Sequence, residues 1–221
     1  MRKGAILRQK TGVVFGRLTY RPKEVAAGFP FLYRPLQNPS FFPPISTAPA
    51  AILARMPADN SYTLTLADET ATTALAARLA HAVLRHVDAV RADGFNLRLN
   101  GNLGAGKTTF TRAFLRALNF TGRVKSPTFE LVEDYDVAPG VVLHHFDFYR
   151  FEEPTEFEDA GFRDLFGAGQ IVFSEWSEKA EPYLPEADLE INLTVSDALS
   201  RTAEIAARTE FGSLLLKDLA S

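Results

Sequence analysis

The chain has 221 residues, enough for one α/β core with an appendage but short for two full enzyme domains. Apolar residues make up 46% and charged residues 23%, the balance of a folded globular chain, which excludes wholesale disorder, collagen-like repeats and coiled-coil architecture. No apolar run approaches the ~18–20 residues that cross a bilayer, so a soluble protein without membrane contact is expected; without cysteine there is no disulfide framework, thiolate nucleophile or thiolate metal site, which permits a reducing compartment such as the cytoplasm.

The net charge of −3 is divided unevenly: residues 1–56 carry nine Lys/Arg against one acid, +8, and the rest of the chain 15 basic against 26 acidic groups, −11. Residues 1–56 are also rich in proline and phenylalanine (Phe29, Pro30, Phe31, Phe41, Phe42, Pro43, Pro44) without a period of 2 or 3.6. Proline fixes φ and disfavours helix in the residue before it, so a packed domain is not expected there. Three readings compete: a transit-like leader, although the stretch is convincingly neither serine-rich nor amphipathic, an arm for RNA phosphates, and a stretch that is not part of the mature protein. Met56, the sole methionine besides Met1, is the expected start of the native chain, and 57–221 the expected domain.

From Ser61 the pattern is regular. Tyr62, Leu64 and Leu66 alternate with threonines as in a strand, and Asp68 is the expected N-cap of a helix whose apolar face is Leu75, Leu79, Val83 and Val87. After the Asp93-Gly94 turn, Phe95, Leu97 and Leu99 predict a strand, and a helix from about Lys107 buries Phe110, Ala113, Phe114, Ala117 and Leu118. Further strands are expected at 129–133, 141–146 and 171–174, with a short helical stretch over 156–166. Leu189, Ile191, Leu193 and Val195, then Ala203, Ile205 and Ala207, predict an antiparallel pair with one wet face. A last helix from Glu210 packs Leu214, Leu215 and Leu219. Helices alternating with strands, closed by an antiparallel pair, imply an α/β domain with a mixed sheet. Asn96 and Arg98 sit awkwardly in a strand that such a sheet buries on both faces; a gap, an edge or a polar covering segment would accommodate them.

Residues 101–108, Gly-Asn-Leu-Gly-Ala-Gly-Lys-Thr, fit the G-x-x-x-x-G-K-S/T pattern between a strand and a helix. Glycines let backbone N–H groups close on phosphate oxygens, and the helix N-terminus adds its positive end. Lys107 can reach β- and γ-phosphates, the Thr108 hydroxyl can join a magnesium shell, and Thr109 can cap the helix or meet the α-phosphate. Handling a γ-phosphate also needs a metal-orienting acid and a group for the nucleophile. Glu175 ends one apolar strand and Asp147 another, at the edge where ligands bind. Taken alone, each reads first as a solvated strand-end carboxylate, and the phosphate loop is what favours a role in the site for both. His145 and Asp147 share a strand face, but two ligands are few for zinc, which favours a scaffold hydrogen bond for the imidazole. Trp176 can stack on a base or fill the core.

The ordered run Gly101–Thr109, Lys125-Ser126-Pro127-Thr128-Phe129, Leu131-Val132-Glu133-Asp134-Tyr135, His145-Phe146-Asp147-Phe148-Tyr149-Arg150, Glu156 to Gly161 and Glu175-Trp176 resembles the TsaE (YjeE) family over roughly residues 60 to 219. The resemblance implies a P-loop NTPase-like three-layer fold with a mixed sheet; nothing in residues 1–56 belongs to it, and their composition predicts an irregular basic N-terminal extension before that fold. It implies a Mg2+-dependent ATPase that assists tRNA threonylcarbamoyladenosine synthesis, works with TsaD- and TsaB-like proteins and meets tRNA indirectly. By position, Gly104, Ala105, Gly106, Lys107, Thr108 and Thr109 would hold ATP phosphates, Thr70 and Trp176 would adjoin the nucleotide, Thr108 and Glu175 would bind magnesium, and Asp147 and Lys107 would be catalytic. Ser126-Pro127-Thr128 resembles a mobile segment facing the phosphates. Asn102 stands where aspartate is usual, and Ser177 where proline commonly follows the tryptophan. A small-molecule kinase and a nucleotide-binding module that never hydrolyses remain as other readings of the loop.

Overall fold

A computed structural model describes residues 60–127 and 130–221; the expectations for residues 1–56 lie outside them. Seven strands form one mixed sheet in the order β1-β7-β6-β2-β5-β4-β3. They are β1 (Ser61–Leu66), β2 (Phe95–Asn100), β3 (Val132–Ala138), β4 (Val141–Asp147), β5 (Gln170–Glu175), β6 (Leu189–Val195) and β7 (Arg201–Ala207). Strands β6, β2, β5 and β4 run parallel to one another, and β1, β7 and β3 pair antiparallel. Five helices accompany them: α1 (Glu69–Arg85), α2 (Val87–Asp93), α3 (Lys107–Ala117), α4 (Glu156–Asp159) and α5 (Glu210–Ala220). This is the expected three-layer P-loop fold with a mixed sheet. Among the described residues no helix is long and apolar enough to cross a membrane.

One sheet face, carrying Tyr62, Leu64, Leu97, Leu99, Leu143, Phe173, Ile191 and Ile205, packs against α1, α3 and α5. Alternation in the strands meets the i, i+3, i+4 spacing of the helices, which lets both bury one apolar side. The other face carries Phe146 and Val172 beneath Phe148, Phe151, Phe157 and Phe162 from the segment between β4 and β5, whose helical pieces are α4 and a short 3₁₀ turn at Phe162–Leu165.

Asp68 caps α1 as expected, accepting the Ala71 N–H at 2.8 Å. That helix does not run through Val87. His86 leaves helical geometry, its imidazole 3.1 Å from Asp218 of α5 and edge-on to Phe211, and α2 starts afresh at Val87. On α5 the buried leucines are Leu215, Leu216 and Leu219, while Leu214, expected inside, is exposed. Gly212 sets this rotation: a Cβ there would stand 1.9 Å from the Asp188 carbonyl, so the helix lies directly on the chain before β6.

The strand expected at 129–133 is Val132–Ala138, and Phe129 lies outside the described residues. Glu130 and Leu131 instead turn back, both N–H groups donating to the Pro127 carbonyl, with Leu131 at φ 64°. The acids Glu133, Asp134 and Asp136 obscured a strand that lies at the sheet edge, where charge is tolerated. The antiparallel pair β6–β7 has the wet face read from the sequence, with Thr194 opposite Thr202 and Asn192 opposite Glu204.

Asn96 and Arg98 face a polar covering segment. The Asn96 amide donates to the carbonyls of Pro185 and Glu186, and Arg98 donates to Pro185 and pairs with Glu181 at 2.6 Å. The buried β2 positions thus satisfy backbone carbonyls of residues 185–186.

Candidate functional site

Strand β2 ends at Asn100 and the chain turns through 101–106 into α3. Gly101, Gly104 and Gly106 all have positive φ, at 140°, 79° and 110°. At Gly101 a Cβ would also come within 2.4 Å of the Leu193 carbonyl, so the loop seats tightly against β6 only without a side chain. Gly106 occupies the N-cap of α3 and offers no side-chain acceptor to the first turn. The N–H groups of that turn, which have no partner within the helix, form an anion-binding end.

Lys107 is buried, with 5% of its surface exposed. Its Nζ donates to the carbonyls of Gly101 at 2.6 Å and Asn102 at 3.2 Å, and stands 4.5 Å above the Trp176 ring. Burial holds the ammonium below its usual pKa, while Glu175, Asp147 and Glu178 act in the opposite direction. A buried ammonium facing two acids at the mouth of an anion cradle suits a phosphate tail with a divalent cation.

The acids come from neighbouring strands. In the β4–β5 register Asp147 stands beside Glu175, at the same sheet edge as the loop. Thr108 Oγ1 donates to Glu175 Oε1 at 2.9 Å, joining the first turn of α3 to the end of β5. A hydroxyl and a carboxylate together are the oxygen donors a hard divalent ion takes, and the pair fits magnesium. His145, fully buried, places Nε2 2.9 Å from the same Oε1, so it makes the scaffold hydrogen bond expected of it. Asp147 accepts from Ser126 Oγ at 2.6 Å through Oδ2 and from the Tyr149 N–H at 3.1 Å through Oδ1.

Trp176, at φ 58°, packs partly against the phenylalanine core and pairs with Tyr149 at a ring separation of 5.0 Å. It borders the loop through Lys107, which joins the core reading to the site reading. Ala105 is buried within the loop, Thr109 lies half-buried on the first turn of α3, and Thr70 is exposed on the first turn of α1. Thr128 lies outside the described residues. The structure therefore brings Lys107, Thr108, Asp147, Glu175 and Trp176 to one place. Two participants escaped the sequence reading: Tyr149 as neighbour of Trp176, and Ser126 as donor to Asp147. Tyr149 lies in the His145–Arg150 run, but only the turn after β4 aims it back.

The family described as threonylcarbamoyl adenosine biosynthesis protein TsaE matches residues 66–203. The chain belongs to the TsaE family. The Haemophilus influenzae tRNA threonylcarbamoyladenosine biosynthesis protein TsaE is 47% identical over 118 residues, 53% of this chain and 73% of that protein. The Bacillus subtilis protein of the same name is 40% identical over 111 residues, 50% of this chain and 68% of its own length. The crystal structure of Bacillus subtilis YdiB superposes with a TM-score of 0.54 at 26% identity, covering 72% of this chain and 93% of that one. Membership makes this TsaE-family chain a P-loop nucleotide-binding protein of tRNA modification.

Proposed function

We propose that this chain binds ATP with Mg2+ and hydrolyses it as a cytoplasmic accessory protein of tRNA threonylcarbamoyladenosine synthesis, stimulated by TsaD- and TsaB-like partners, with residues 57–221 as the working unit. The observation that supports this most is the 2.9 Å bond from Thr108 to Glu175, which sets a hydroxyl and an acid side by side at the open end of the glycine loop.

In this reading Gly104, Ala105, Gly106, Lys107, Thr108 and Thr109 hold the phosphates through backbone N–H groups and the Lys107 ammonium, which leaves two neutral carbonyls for charged oxygens. Thr108 and Glu175 hold the cation, and Trp176 and Thr70 adjoin the nucleotide. Magnesium held by Thr108 and Glu175 would neutralise charge on the phosphate oxygens. Asp147 orients the attacking water once Ser126 releases Oδ2; its Oδ1 stays fixed by the Tyr149 N–H. The acidic body makes a poor grip for tRNA phosphates, so contact with tRNA runs through the partner proteins.

Phosphate release measured with and without TsaD–TsaB partners tests the proposal. Stimulation by the partners supports it; ADP formed only with an acceptor marks a small-molecule kinase, and binding without turnover marks a regulatory module. Asp147→Ala is expected to keep ATP and lose turnover by at least about 100-fold. Normal hydrolysis by that variant in the assembled complex removes Asp147 from its role.

A further inference from the structure

We infer that His145 is a positioning residue that fixes the Glu175 carboxylate for the divalent cation, an inference that rests on the cation reading of the Thr108–Glu175 pair. His145 is fully buried on the α3-side face of β4, and its Nε2 lies 2.9 Å from Glu175 Oε1. Its other ring nitrogen, Nδ1, is buried and has no hydrogen-bond partner among the described residues. A side chain present only to fill the core would be apolar, because an unmet buried polar atom costs stability. The imidazole is kept at that cost for a single polar contact.

That contact falls on the oxygen that also receives the Thr108 hydroxyl hydrogen at 2.9 Å. A carboxylate is acceptor-only when ionised, so the facing Nε2 carries the hydrogen. Two donors, one from α3 and one from β4, occupy the two lone pairs of Oε1 and set the carboxylate plane. That leaves Oε2 as the oxygen that would meet the cation. The register explains the spacing: Asp147 stands beside Glu175, and His145, two residues earlier on the same face, reaches it diagonally. One strand thus presents both the acid for water and the clamp on the metal acid. Outer partners of this kind typically govern metal affinity by about 10–100-fold without touching the metal.

The full chain is titrated with ADP by calorimetry, in EDTA and at stepped Mg2+ concentrations, as wild type, His145→Phe, His145→Gln and His145→Asn. His145→Phe keeps a ring and loses the N–H; it is expected to raise the Mg2+ concentration for half-saturation about 10-fold, with metal-free ADP affinity within about twofold of wild type. His145→Gln, whose amide reaches the Nε2 position, is expected to restore most of the Mg2+ response, and the shorter His145→Asn to leave it impaired. The Gln and Asn pair decides the matter if the Phe variant does not fold. An unchanged Mg2+ response in His145→Phe or His145→Asn overturns the inference, as does an equal loss of metal-free affinity. Absence of any Mg2+ effect in wild type overturns instead the cation reading on which it rests.

Discussion

The sheet face under α1, α3 and α5 is packed by side chains at regular helical and strand spacing, whereas the face over β4 and β5 is packed by phenylalanines from a segment with little regular structure. The first core holds the strand, loop and helix of the phosphate cradle, and Phe114 of α3 meets Phe173 of β5 at 4.6 Å within it. The second supports the rim that carries Asp147, Tyr149 and Trp176. There Phe146 meets Phe148 at 5.2 Å and Phe162 at 5.1 Å, and Phe148 meets Phe151 at 4.9 Å. Edge and stacked ring contacts replace the helix ridges of the first core. Under the proposed function the comparison teaches a division of labour: periodic packing fixes the glycine cradle, and an irregular aromatic knot places the rim to which turnover is assigned.

The hardest break in this division is a cavity in each core. Phe146→Ala and Phe114→Ala are each expected to cost about 3–5 kcal/mol in urea unfolding. Phe114→Ala should also weaken ATP binding, and Phe146→Ala should spare binding and depress turnover. Equal loss of ATP affinity in the two variants dissolves the partition. The cradle itself is probed by Lys107→Ala, expected to weaken Mg–ATP by about 100-fold, about 2.7 kcal/mol. Since burial disfavours the Lys107 charge, this variant should unfold at no lower urea than wild type. A clear loss of stability there would show that the lysine is part of the fold's support.

The smallest effect lies at the solvent-exposed β6–β7 turn. Hydrogen bonds from the Ser200 hydroxyl and from the Ser200 and Leu199 N–H groups lower the Asp197 pKa from 3.8 to about 2. A depressed acid stabilises the fold above its unfolded pKa, so the contribution is present above pH 3.8 and is lost as pH falls towards 2. Amide exchange at 199–200 should accelerate relative to the cores across that window, and Asp197→Ala should remove the difference.

Much of the site was legible because its pieces are contiguous or end their strands. The loop from Gly101 to Thr108 is one uninterrupted stretch, and Glu175 and Asp147 close apolar runs that point them at the ligand edge. The break at His86 was not legible, because the partner its side chain meets there is Asp218, 132 residues away on α5. Nor was the burial of Leu216 in place of Leu214, which follows from the contact between Gly212 and Asp188. The edge strand β3 was misplaced because its acids defeat the alternation by which strands are recognised.

Local chemistry in the sequence determined the elements, the glycine cradle, the lysine and hydroxyl that follow it, and the two acids. Hydrogen-bond and steric preferences over a few residues are sufficient for that. The order β2-β5-β4 was decided only by tertiary structure, and with it the meeting of Thr108, His145 and Glu175 on one oxygen. Lateral strand pairing joins residues 28 positions apart in β4–β5 and 76 apart in β2–β5, and its energy comes from burying both sheet faces at once, which no local pattern encodes.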